Sequence, residues 1–234
     1  MRRSYLGGEY YPPELPVPTK PPPPAPSIAP IVDAPLNGNG LDMSGNGNHL
    51  TAGSAVQWAT IDGRQVLYAL NDSSYLFWPR ATQPNLPALW NNFRLEIDFC
   101  IPTGDRSDYF SNVVDNSGSE YDFQMGRSGL VAQLDNLSGL WVFGIGNPGD
   151  ISNHFVFPST LLRDKWYKLI MQKIDTDVYA GFYDDDNDVV VSGKTLVVAA
   201  VVIPPYNFTV GKSAVRPDRY LDGYLRNLKI WDLS

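Results

Sequence analysis

The chain is poor in the residues that usually announce chemistry. Cys100 is the single cysteine among 234 residues, so no internal disulfide can form and a disulfide-dense extracellular scaffold is excluded. His49 and His154 are the only histidines, and neither has a Cys or carboxylate partner at metal-ligand spacing, which removes a zinc centre. No apolar run reaches membrane-spanning length, so membrane insertion is not expected. Arg2-Arg3 is followed by Ser-Tyr-Leu-Gly-Gly-Glu rather than by the apolar core of a signal peptide. Positive charge is also short: the formal net charge of −7 argues against a nucleic-acid partner. No window carries a helical period beyond a turn near Thr160–Asp164.

Proline and aromatic residues are abundant instead. Eleven of the twenty prolines fall in residues 1–35, including Pro21-Pro22-Pro23-Pro24. Proline fixes φ and donates no hydrogen bond, so this stretch reads as an extended, polyproline-like arm. Tyr5, Leu6, Tyr10 and Tyr11 are adhesive points that a pure spacer would not need, and they mark residues 1–35 as an anchoring arm to another protein of an assembly. An inert tether is the competing reading.

From residue 36 to 234 the chain reads as many short strands separated by turn residues. Arg94-Leu-Glu-Ile-Asp-Phe-Cys-Ile101 alternates, with Leu95, Ile97, Phe99 and Ile101 on one face. Trp166–Lys173, Asp177–Tyr183, the β-branched run around Val189 and Thr195, Phe208–Gly211 and Gly223–Trp231 supply further strands. The fold class expected is all-β, an antiparallel jelly-roll sandwich preceded by the proline-rich arm.

Several residues could carry chemistry or binding. Glu96 and Asp98 lie on one face of a strand, as a nucleophile and a general acid would. Residue 100, next on that face, is a cysteine, so an amphipathic strand is the simpler reading. Trp78, Trp90, Tyr109 and Tyr121 in loops could form a stacking platform for sugar rings, although tryptophans of sandwiches are commonly core residues, as expected here for Trp166 and Trp231. Asp184, Asp186 and Asp188 in an acidic run could hold calcium, the one cofactor left open. EF-hand spacing fails, however, since Val189 and Thr195 stand where glycine and glutamate are required, and a polar hairpin turn accounts for the run.

The order of Asp42-Met-Ser-Gly-Asn-Gly-Asn-His-Leu50, Gly63-Arg-Gln-Val-Leu67, Ser74-Tyr75-Leu76, Asp164-Lys-Trp-Tyr167 and the closing Gly223–Trp231 strand resembles the concanavalin A-like lectin/glucanase sandwich in its laminin-G-like form. That resemblance implies that first and last strands lie side by side and that glycans are the ligand class. It also implies that a hydrolase of this kind would carry a third acid where Cys100 stands. Such modules sometimes bind calcium at a rim. The arm followed by one sandwich resembles bacteriophage virion proteins. The resemblance implies a non-enzymatic decoration or attachment protein on a capsid or tail, held by residues 1–35, touching cell-surface glycans, with homo-oligomers left open. A free carbohydrate-binding lectin is the alternative, and a glycan hydrolase the third reading.

Overall fold

The computed structural model describes residues 23–79, 92–103, 110–115, 129–135, 140–146, 154–158, 162–184, 190–197, 207–214 and 219–234. Among them are fifteen strands and no helix. One sheet contains β1 (Val32–Ala34), β3 (Gln57–Ile61), β4 (Arg64–Ala69), β6 (Phe93–Cys100), β11 (Trp166–Ile174), β12 (Asp177–Asp184), β13 (Val190–Val197) and β15 (Gly223–Asp232). Its order is β13-β12-β11-β6-β15-β4-β3, with β1 also on β15. The second sheet contains β2 (Thr51–Ala52), β5 (Leu76–Trp78), β7 (Phe110–Asp115), β8 (Gly129–Asp135), β9 (Leu140–Gly146), β10 (His154–Pro158) and β14 (Phe208–Val210), in the order β10-β9-β8-β7-β14-β5-β2. All pairings are antiparallel, as expected for a sandwich.

Alternation decides which side chains are inside. Leu95, Ile97 and Phe99 of β6 are fully buried between the sheets, with Leu169 and Met171 of β11, Phe182 of β12, Phe208 of β14, and Leu225, Leu228 and Ile230 of β15. Turn chemistry fixes register at the β3–β4 hairpin. Ile61 pairs with Arg64 across Asp62-Gly63, whose φ values of 51° and 74° are the left-handed pair that a two-residue hairpin needs.

Two features of the arm differ from expectation. The boundary at residue 36 falls inside the sandwich, because Val32–Ala34 pair with Leu228–Ile230 and Val32 and Ala34 are buried. The physical reason is local: Pro30 and Pro35 bracket four residues, Ile31 to Ala34, that retain their amide donors. The second feature is how room is made. β15 pairs with β4 through Gly223–Leu225, then shifts register between Arg226 and Lys229, and β1 takes over the same edge from Leu228. Asn227 sits at this bulge with φ 55°, and its amide donates to the Pro35 carbonyl at 3.1 Å.

Candidate functional site

Even-numbered residues of β6 leave the core and face outward, and register places their neighbours. Trp231, Arg94, Gln172 and Tyr179 form one row across β15, β6, β11 and β12; Lys229, Glu96, Ile170 and Gly181 form the next; Arg226, Asp98, Lys168 and Tyr183 form the third. Outward residues of a sheet are ordinarily wet. Here Arg94, Asp98, Ile170, Gln172, Tyr179, Tyr183 and Trp231 are all below a tenth exposed.

Arg94 explains part of that burial. Its Nη1 donates to the carbonyls of Pro23 at 2.7 Å and Pro24 at 3.1 Å, and to Gln172 Oε1 at 3.0 Å; its Nε donates to Glu96 Oε1 at 2.7 Å. A buried guanidinium needs its donors satisfied, and the end of the proline run supplies two of the acceptors. Trp231 Nε1 likewise donates to the Ile28 carbonyl at 3.1 Å. The incoming segment therefore lies over the β15–β6 part of this face.

Asp98 serves the bulge. Its Oδ2 accepts from Asn227 Nδ2 at 2.7 Å and from Arg226 Nε at 3.3 Å, while the Arg226 guanidinium stacks 4.0 Å over the Trp166 ring. Burial pushes the Cys100 thiol up to about 11, with the nearby Asp164 carboxylate adding to the effect and Arg226 opposing it. At neutral pH that third position is a buried, neutral thiol.

On β12, Tyr179 and Tyr183 are four residues apart with Gly181 between them, yet their hydroxyls meet at 3.0 Å. Four strand residues span about 13 Å, so both rings must lean toward each other over the glycine and lie along the sheet. Burial raises the pKa of each hydroxyl, and for Tyr183 the hydrogen bond to Tyr179 adds to the rise.

The Asp42–Leu50 run is a carboxylate-centred knot. Asp42 Oδ1 accepts from the amides of Asp33 and Ser44, and Oδ2 from Ser44 Oγ and the Asn48 amide, all at 2.8–2.9 Å; the Asp42 amide donates to His49 Nδ1 at 3.0 Å. Gly45 and Gly47, with φ of 88° and 73°, let the loop curl round the carboxylate. Burial acts to raise the Asp42 pKa, but the hydrogen bonds from Asp33, Ser44 and Asn48 outweigh it and the net shift is downward. Asn46 Nδ2 and Asn48 Nδ2 both donate to the Ile31 carbonyl, and Ser44 Oγ lies 3.0 Å from the same oxygen. The run that marks the fold in the sequence is thus the clamp that holds the arm's last residues against the sandwich.

The other expected site residues divide sharply. Trp78, expected in a loop, is instead in β5 and the core: it is 4% exposed, packs on Phe208 at 5.1 Å, and donates from Nε1 to the Asn48 carbonyl. Trp166 and Trp231, expected in the core, face outward, since register aligns them with Cys100 and Arg94. Asp184 is ion-paired with Lys165. Asp186, Asp188, Trp90, Tyr109, Tyr121, Tyr5, Leu6, Tyr10 and Tyr11 lie outside the described residues. No group of three His, Cys, Asp or Glu that could hold a metal ion occurs among the described residues. Sequence reasoning missed Arg94, Tyr179 and Tyr183. The alternation of β6 already put Arg94 beside Glu96, and Tyr-x-Gly-x-Tyr was a visible same-face pattern.

No protein family description matches the sequence, and no curated protein matches it. Solved structures do match in shape. The binding domain of Paraclostridial Mosquitocidal Protein 1 superposes with a TM-score of 0.60 at 12% identity, over 87% of this chain and 49% of that one. What the chain shares with it is a β-sandwich. The Trypanosoma rangeli sialidase gives 0.58 at 16% identity, over 92% and 34% of the two chains. Tailspike protein 2 of bacteriophage CBA120 gives 0.54 at 11% identity, over 78% and 28%. The chain spans half or less of the length of each of these structures, and identities this low speak for the fold alone.

Proposed function

We propose that this chain is a non-enzymatic display module of a virion, a decoration or attachment protein whose N-terminal segment fastens it to the particle. The observation that carries this reading is the junction. Residues 23–35 are fastened to two central strands of a sheet, β15 and β6, through the pairing of β1 with β15, the Arg94–Pro23/Pro24 contacts, the Trp231–Ile28 contact and the Ile31 carbonyl that accepts from Asn46 and Asn48. A pull on the arm is delivered to β15 and β6 rather than to a surface loop, which suits an anchor better than a tether.

The outward carboxylates support a binding rather than a hydrolytic role. Glu96 is held by Arg94 and Asp98 by Arg226 and Asn227, and the third position is a neutral thiol. Two-carboxylate glycoside cleavage needs one free nucleophile and one protonated acid. The binding-domain and tailspike structures named above share the sandwich, so the fold suits a surface-contact role, for which we propose glycans as the ligand class. Many copies on one particle would give a weak contact useful avidity.

The test is co-sedimentation of tagged protein with particles from a lysate of the source culture. Full-length chain and a variant lacking residues 1–22 are compared; the deletion leaves every contact described above in place. Pelleting of the full chain alone supports the reading. Equal behaviour of the two overturns it, and retention of both on a polysaccharide column would favour a free lectin.

A further inference from the structure

We propose that the outward face of β11 and β12 is a polyproline seat, occupied in the same molecule by the proline run that precedes Pro23. The observations are local to that face. Tyr179 and Tyr183 lie along the sheet over Gly181, on a side that faces away from the core, yet they are 3% and 8% exposed. With Ile170 they form a buried apolar cluster separate from the core between the sheets. Rings lying flat and kept from water have something on their upper faces.

The occupant is named by where the described chain begins. Pro23 and Pro24 present their carbonyls to Arg94, and Arg94 shares its row with Gln172 and Tyr179. Two strand spacings, about 10 Å, separate Arg94 from Tyr179. A polyproline chain advances about 3.1 Å per residue, so residues 19–22, including Pro21 and Pro22, have the length to cross β11 and reach both tyrosines. The chemistry matches as well. Polyproline ligands dock by laying proline rings on flat aromatic faces while their carbonyls, which no internal hydrogen bond uses, accept from polar side chains. Arg94 already supplies that donor to two consecutive prolines.

The seat gives the arm a second fixed length beyond the β1 junction. The inference stands apart from the particle reading, because it concerns the isolated protein.

The experiment is nitration of tyrosine by tetranitromethane, mapped by peptide mass spectrometry on the full chain and on a full-chain P21G/P22G variant. Both substitutions lie before residue 23, so the contacts described for residues 23–234 keep all their atoms, and a thermal melt of each protein verifies that the sandwich stays folded. The half-exposed Tyr75 and Tyr224 serve as internal references. In the native chain Tyr179 and Tyr183 react about tenfold more slowly than the references, and the variant loses most of that protection. Adding a synthetic peptide of residues 13–24 to a chain lacking residues 1–22 restores it. Unchanged protection in the variant overturns the proposal, since another segment then covers the rings. Protection in the native chain that disappears on dilution also overturns it, because the occupant is then the arm of a neighbouring copy.

Discussion

Replacing Asp42 by asparagine tests the physical account of the clamp. The carboxylate is 6% exposed and accepts four hydrogen bonds, two on each oxygen. Asparagine keeps one oxygen for the Asp33 and Ser44 amides, but its NH2 group meets the Asn48 N–H, donor against donor. Ser44 can turn its hydroxyl to accept; the Asn48 amide cannot. One stranded N–H and the loss of charge assistance cost about 2–3 kcal/mol. For a domain of this size each kcal/mol moves Tm by about 2–4 °C, so the variant melts about 4–12 °C lower. The Asp42 pKa is depressed below its ordinary 3.8, so its contribution is complete above that value and is lost as pH falls through the lower folded pKa. The gap between the two proteins therefore stays constant from about pH 5 to 8 and narrows below about pH 4. Thermal melts by circular dichroism measure the gap. Amide hydrogen exchange at Asp33, Ser44 and Asn48 identifies its origin: the stranded Asn48 amide should speed up most, and the Asp33 and Ser44 amides, which keep a neutral acceptor, less. A Tm drop under about 2 °C, or unchanged exchange at those amides, refutes the reasoning.

Trp78→Ala should cost about 3–5 kcal/mol in urea denaturation, because the ring fills the core against Phe208; near-wild-type stability with lost glycan retention would instead make it a surface platform. Asp98→Ala removes one acceptor from Arg226 and one from Asn227 at the bulge and should cost about 3 kcal/mol, read in the same assay. Cys100 should resist iodoacetamide at pH 8 and react only once the chain is unfolded; rapid labelling of the native protein at pH 8 would contradict the upward shift to about 11. Millimolar calcium should move Tm by less than about 1 °C, since Asp184 is already ion-paired with Lys165; a larger rise would place an ion at the Asp184–Asp188 run.

The fold was legible because a sandwich writes itself into alternation. Leu95, Ile97 and Phe99 could be assigned to the core from their spacing alone. The site was less legible, since alternation gives a face but not what lies against it. Glu96 and Asp98 read as a catalytic pair until Arg94, Arg226 and Asn227 are seen beside them, and the Pro23 carbonyl on Arg94 is 71 residues away in sequence. Trp78 belongs to a strand of three residues, too short to declare itself by alternation, although Leu76 and Trp78 flank Phe77 with their inward face buried. The boundary at residue 36 treated proline density as a bar to pairing. Val32–Ala34 carry no proline, and three residues suffice for an edge strand.

In the function proposed here, the arm fastens the chain to a particle while the sandwich stands outward. A cryo-electron microscopy reconstruction of the particle with which the chain sediments tests it most directly. The account predicts sandwich density standing off the particle surface, joined to it through residues N-terminal to Pro23. Sandwich density packed flat on the particle, with the N-terminal segment making no contact there, would contradict it.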